Sequence, residues 1–343
     1  MLNITFQLME KIGGFAMRAI LLGVCSSFFF AFTFVLNRSM ELSGGSWLWS
    51  SSLRYFSMLP FLLLFVIWRK KWQPLLIEMK KNPLKWLLWG TVGFGLFYAP
   101  ICFAGAYGPG WLIAATWQIT ILSGSLLAPL FYEKVQTVNG SVKVRGKIPL
   151  RGLSMSLIII FGVALMQFEH ASQLSIMPVL FTIIPVLIAS FAYPLGNRKM
   201  MAICEGRLDV FQRVLGMTIG SLPLWIIFAI IAIFTSGLPS KTQTIQSFWV
   251  AMCSGLIATL LFFQATSLVQ HNMAQLAAVE ATQSIQVLFV LIGEIIFLAS
   301  PLPTGMSLLG MAFVMIGMVL HSYISRSNRP AQTIKPDPSR QLS

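Results

Sequence analysis

The chain has 343 residues, of which 56% are hydrophobic and only 10% charged, with a mean hydropathy of +0.78. Soluble domains carry about 25% charge, so the composition excludes a soluble protein. The net charge of +14 raises nucleic acid as a partner, but no nucleic-acid motif accompanies it and none is expected to bind.

Residues 1–16 read as an N-terminal extension ahead of MRAILLG at Met17. Apolar runs long enough to span a bilayer then recur along the chain. Ten helices are expected, at about 17–36, 46–68, 84–107, 109–132, 150–168, 174–196, 209–235, 245–269, 273–297 and 304–324. The first run ends at Asn37-Arg38 with no small-x-small site, unlike a secretory leader. Gly90, Gly93 and Gly95 thin helix 3, and Gly216 and Gly220 give helix 7 a close-contact face. Residues 326–343 are polar, carry three prolines and are expected to be a disordered cytoplasmic tail. The four cysteines and three histidines show no ligand spacing, so no metal, cofactor or disulfide is expected.

With the N-terminus inside, every basic residue except Arg38, Arg54 and Lys241 falls on the inner side or its margin. That is the positive-inside pattern, and it puts both termini in the cytoplasm. The basic loops are then topology signals and contacts for anionic lipid. The expectation is an all-α, multi-pass protein of the cell (plasma) membrane.

An internal repeat stands out. FVLNRSM and YPLGNRKM align Asn37 with Asn197 and Arg38 with Arg198 at an offset of 160. Arg54 aligns with Arg213 at 159, and Glu133 with Glu294 at 161. The offsets define two five-helix copies, 17–168 and 174–325. An odd helix number inverts the second copy, and inverted repeats with a midplane site mark many secondary transporters.

Ten short helices, the inverted repeat, an arginine in helices 2 and 7, and the acidic endings LAPLFYEK and VLIGEIIF resemble the drug/metabolite transporter superfamily. Within it, the chain is most similar to the ten-helix multidrug resistance efflux transporters. The resemblance implies a cavity lined mainly by helices 1, 3, 4, 6, 8 and 9. The small four-helix members use a glutamate in helix 1, whereas residues 17–38 here contain no acid. Any carboxylate coupling must sit elsewhere.

A charge near a bilayer centre costs at least about 2.5–3.5 kcal/mol, so intramembrane acids need a reason. Glu280 and Glu294 are 14 residues apart, which at about 100° per residue puts them on one face of helix 9 with Gln283 and Ser284. Glu280 is the candidate proton carrier. Gln118, Gln283, Gln264, Trp117 and Tyr98 are the further candidates for substrate or proton binding. Arg54, Glu133, Arg213 and Glu294 read as structural or gating charges, with Glu294 expected to pair with Arg54, and Glu133 with Arg213. For Arg213, an i,i+4 pair with Asp209 is the plainer alternative.

No catalytic constellation and no P-loop occurs, so an enzyme and direct ATP drive are not expected. The reading is a secondary active antiporter, exporting lipophilic or cationic drugs against protons by alternating access. The alternative is an exporter or exchanger of a polar metabolite such as an amino acid.

Overall fold

The computed structural model describes the backbone of residues 2–137, 140–146, 148, 150–173, 176–269 and 278–327. Side chains are described for 17–132, 145, 146, 148, 150, 153, 154, 156–169, 177–266, 268, 269 and 278–320. The expected cytoplasmic tail lies outside these residues from 328 onward, and the three histidine side chains lie outside them too.

Helical residues stand in each of the ten expected stretches. In chain order these are α1 (Leu2–Leu42), α2 (Trp47–Trp68), α3 (Trp72–Lys81), α4 (Pro83–Tyr107), α5 (Gly110–Trp117) and α6 (Ile119–Leu126). Then follow α7 (Leu150–Gln173), α8 (Ile176–Cys204), α9 (Val210–Ser236), α10 (241–269), α11 (Ala278–Leu298) and α12 (Gly305–Ser327). Seven of the described helices are long and apolar enough to cross a membrane: Met17–Leu42 of α1, α2, α4, Met177–Cys204 of α8, α9, Lys241–Thr266 of α10, and α11. Their outward faces carry Leu64, Trp68, Phe234 and Phe297, large apolar side chains that water would penalise and lipid accepts.

Three features depart from the expected pattern. The fold is not wholly α: Tyr132–Thr137 (β1) and Gly140–Arg145 (β2) pair antiparallel, with Tyr132 opposite Arg145. Glu133 therefore sits on a strand and does not close a helix. The expected helix 109–132 ends early because Pro129 cannot donate to a continuing ladder; a short 3-10 turn, Ala128–Leu130, finishes it. The third departure is α1, which runs on past Arg38 to Leu42 and so takes in Glu41.

Among the described residues, two helices contain π-helical segments, Thr91–Gly95 in α4 and Ala251–Ile257 in α10. Two others break near mid-span, between α5 and α6 at Gln118 and at the 3-10 turn Thr282–Ile285 in α11.

The chief helix pairings all join the first half of the chain to the second: α7 with α12, α4 with α8, α1 with α10 and α11, and α9 with α2 and α4. Small residues make this possible. A side chain on Gly196 of α8 would collide with the backbone of Gly93 in α4, and one on Gly220 of α9 with the Trp86 carbonyl. Gly162 and Gly310 bring α7 and α12 together in the same way.

Candidate functional site

Asn37 on α1, Arg54 on α2 and Tyr98 on α4 meet where these helices cross. Ser50, Ser51 and Ser52 fill the turn before Arg54 and are fully buried, so α2 packs closely and carries the arginine inward. The guanidinium carbon of Arg54 lies 4.0 Å from the centre of the Tyr98 ring. Tyr98 is fully buried, and its hydroxyl donates to Oδ1 of Asn37 at 3.1 Å. Arg54 is 7% exposed, yet its Nε and Nη1 have no acceptor; nor does Nδ2 of Asn37. Among the described residues no carboxylate lies within ion-pair distance of Arg54.

Aromatic rings enclose this cluster. Tyr55 stacks on Trp225 of α9 at 4.6 Å and 11°, and touches Phe94 and Tyr98. On the other side of Tyr98, Phe97 contacts Trp117 at 5.0 Å and Tyr193 at 4.7 Å. The negative faces of such rings suit a cation, and here the arginine is already that cation.

Glu294 does not pair with Arg54. Its side chain is fully buried, and Oε1 accepts from Gly110 N–H at 2.7 Å while Oε2 accepts from Trp111 N–H at 3.3 Å. The first N–H groups of a helix have no partner within it, and the dipole favours a negative charge there. The start of α5 therefore supplies what an arginine was expected to supply. Gly110 has to be small: a Cβ would lie 2.9 Å from Oε1 of Glu294 and 2.9 Å from the Phe34 carbonyl.

The matches to known proteins agree with this architecture. The family model EmrE, described as "Putative multidrug resistance efflux transporter", matches residues 17–327. The chain belongs to this family. It is 56% identical over 314 residues to the uncharacterized protein YjlA of Bacillus subtilis (strain 168), covering 92% of this chain and 97% of that one. It is 49% identical over 271 residues to an uncharacterized 42.1 kDa protein of Shouchella clausii from the intracellular alkaline protease 3′ region, covering 79% of this chain and 70% of that one. The EmrE family is one of transporters, so a multi-pass membrane protein with a small-molecule cargo follows.

The other expected site residues of this EmrE-family chain are scattered. Gln118 is 3% exposed at the α5–α6 break, and its Nε2 returns to the Ala114 carbonyl at 3.1 Å. Gln283 reaches Gly23 of α1 at 3.4 Å, beside Ser27, whose hydroxyl donates to the Thr282 carbonyl at 2.9 Å. The polar stripe of α11 thus faces α1. Glu280 is exposed on the first turn of α11, and Gln264 is exposed on α10. Trp117 and Tyr98 are the two candidates that reach the Arg54 cluster.

The second expected pair, Glu133 with Arg213, falls partly outside the described residues. The Glu133 side chain is outside the described residues. Asp209 acts on Arg213 without closing an ion pair with it: its carboxylate pairs with Lys71 at 3.0 Å and Arg69 at 3.5 Å, while its side chain caps α9 at Gln212 N–H. A second knot lies beside it, where Arg207 reaches Glu78 at 2.9 Å and Lys81 joins at 2.9 Å. Hydrogen bonds from Arg207 and then Lys81 hold the Glu78 carboxyl below its ordinary range.

In the sequence Asn37 stands out as a repeat marker, and Tyr55, Trp225 and Glu41 do not stand out at all. The signal for Asn37 was present: an amide in an apolar run, adjacent to Arg38, needs buried partners.

Proposed function

We propose that this protein is a secondary active exporter that moves small organic molecules by alternating access between two inverted five-helix repeats, ten spans in all with both ends cytoplasmic. The observation that carries the reading is the pair of π-helical segments, which begin at Thr91 and Ala251, the same 160 residues that separate Asn37 from Asn197. Arg38 and Arg198 add to it, each donating from Nη1 to a helix carbonyl, Gly105 at 2.8 Å and Gly124 at 2.5 Å. The helix pairings between the two halves of the chain are what halves rocking against each other need.

Protons are the proposed driving ion and Glu280 the proposed carrier, an acid on a span with Gln283 close by. For the cargo, the aromatic cluster supports a lipophilic body. The uncompensated Arg54 works against a cationic drug and favours the alternative, a metabolite that carries a negative group. The test is flux in proteoliposomes with an imposed pH gradient, comparing wild type with Glu280→Gln. The reading expects gradient-driven accumulation of organic cargo that the substitution abolishes. Flux indifferent to the gradient would remove proton coupling, and no flux across a panel of cations, amino acids and organic acids would remove the exporter.

A further inference from the structure

We propose that Arg54, Asn37 and Tyr98 form a binding site for the carboxylate of an organic acid with an aromatic or apolar body, the cargo of the exporter. The proposal rests on the transporter reading for the word cargo, but the site stands on its own geometry.

A buried guanidinium stripped of water requires a counter-charge or a full set of acceptors, and few arrangements are less favourable than leaving it with neither. Arg54 has a ring face at 4.0 Å and two nitrogens without acceptors. The ring compensates part of the charge and the Tyr98 hydroxyl meets the guanidinium, which still leaves Nε and Nη1 without acceptors. Asn37 repeats the pattern. Tyr98 occupies its carbonyl oxygen, and its Nδ2, at 2% exposure, has only the Cys102 thiol, a weak acceptor, beside it. Two side chains that both touch Tyr98 thus offer unused N–H groups, and all of those groups are donors. A site that lacks only acceptors fits an anion.

The nearest acids do not fill the role. Glu294 is occupied by the start of α5. Glu41 lies one turn beyond Asn37 on α1; one of its carboxylate oxygens also lacks a hydrogen-bond partner, but the cation acting on it is Arg38 and no ion pair joins it to Arg54. The groups acting on Arg54 are Tyr98, Tyr55 and Cys102.

The class of anion follows from the surroundings. One guanidinium balances a single negative charge, so a monocarboxylate fits where a phosphate dianion would retain excess charge. Guanidinium and amide N–H groups match carboxylate oxygens. Tyr55, Phe94, Phe97 and Trp225 supply flat apolar walls for the rest of the molecule. The site is closed in this structure. Tyr55 of α2 stacks on Trp225 of α9, a contact between the two halves, so separating the halves is what uncovers the guanidinium.

The test uses the purified full-length chain in nanodiscs, with 3-phenylpropanoate, benzylamine and chloride as probes. Binding is read by tryptophan fluorescence and by the shift in Tm. The expected result is saturable binding of 3-phenylpropanoate, with neither benzylamine nor chloride producing it. Asn37→Ala and Arg54→Lys should each weaken that binding by about tenfold or more, the scale of one hydrogen bond to a charge. Arg54→Gln should abolish it; if that variant does not fold, the other two carry the test. Binding that is unchanged in folded Asn37→Ala and Arg54→Lys overturns the site. So does equal response to chloride, or no response to the carboxylate, which would leave the guanidinium held by water. Carboxylate binding without flux in proteoliposomes would sink the exporter reading and keep the site. Flux of other cargo without carboxylate binding would do the reverse.

Discussion

The carboxylate of Glu294 accepts the backbone N–H of Gly110 at 2.7 Å, so an acid late in the chain fixes where a helix in its first half begins. Glu294→Ala would leave two buried N–H groups without an acceptor, at about 2–4 kcal/mol for the pair. Glu294→Gln keeps one oxygen and should lose about half of that. Gly110→Ala should resemble Glu294→Ala, because its methyl meets both Oε1 and the Phe34 carbonyl. Thermal unfolding of the detergent-purified protein, followed by tryptophan fluorescence, orders the three. A Glu294→Ala protein as stable as wild type would refute the capping role.

Gly196→Ala and Gly206→Ala should separate two roles of glycine. At Gly196 the new methyl meets the Gly93 backbone, and neither helix can yield locally; a loss of about 1–3 kcal/mol is expected. Gly206 has φ +81° and open space around it, so only backbone strain of about 1 kcal/mol applies. The same unfolding measurement should rank Gly196→Ala lower in Tm.

Acid should loosen the inner face. Arg207 and Lys81 hold Glu78 below its ordinary value of 4.5. Folding therefore gains stability from this group above that value, and the gain is lost as pH falls through the carboxylate range, where the unfolded chain takes up the proton first. Wild type should lose Tm more steeply than Glu78→Gln between about pH 5 and pH 3. Parallel curves would mean that the knot contributes nothing measurable.

Asp209 serves both as cap and as ion-pair partner, and two substitutions divide these roles. Asp209→Asn keeps an oxygen for Gln212 N–H and loses Lys71 and Arg69, whereas Asp209→Ala loses all three. The difference between the two should be about 1 kcal/mol, the worth of an N-cap. The loss in Asp209→Asn should be smaller, since both ion pairs are partly exposed.

Much of the fold was legible in the residues. Apolar runs of bilayer length located the helices, and the Asn-Arg doublets at 37 and 197 gave an offset that the π-helical segments share. The close contact through Gly216 and Gly220 was legible as well, and both pack against Trp86. The partner of Glu294 was not, because matching charge to charge overlooks backbone N–H groups, which every residue type but proline carries. The meeting of Asn37, Arg54 and Tyr98 was hidden for another reason: it depends on three helices crossing, and no spacing along the chain encodes a crossing point. The hairpin escaped because a short polar segment between apolar helices reads as loop unless its alternation is followed.

Each π-helical turn accommodates one residue more than an α-helical turn, which rotates everything beyond it by about 100°. In α4 the residues before the turn, Trp86 and Gly90, lie against α9, while Tyr98 after it faces Asn37 and Arg54. One helix therefore has two phases. A cysteine-accessibility scan along α4 should give two periodic patterns that each repeat every 3.6 residues but do not line up, with the discontinuity at Thr91–Gly95, and a single helical wheel drawn through both would assign half of the span to the wrong neighbour.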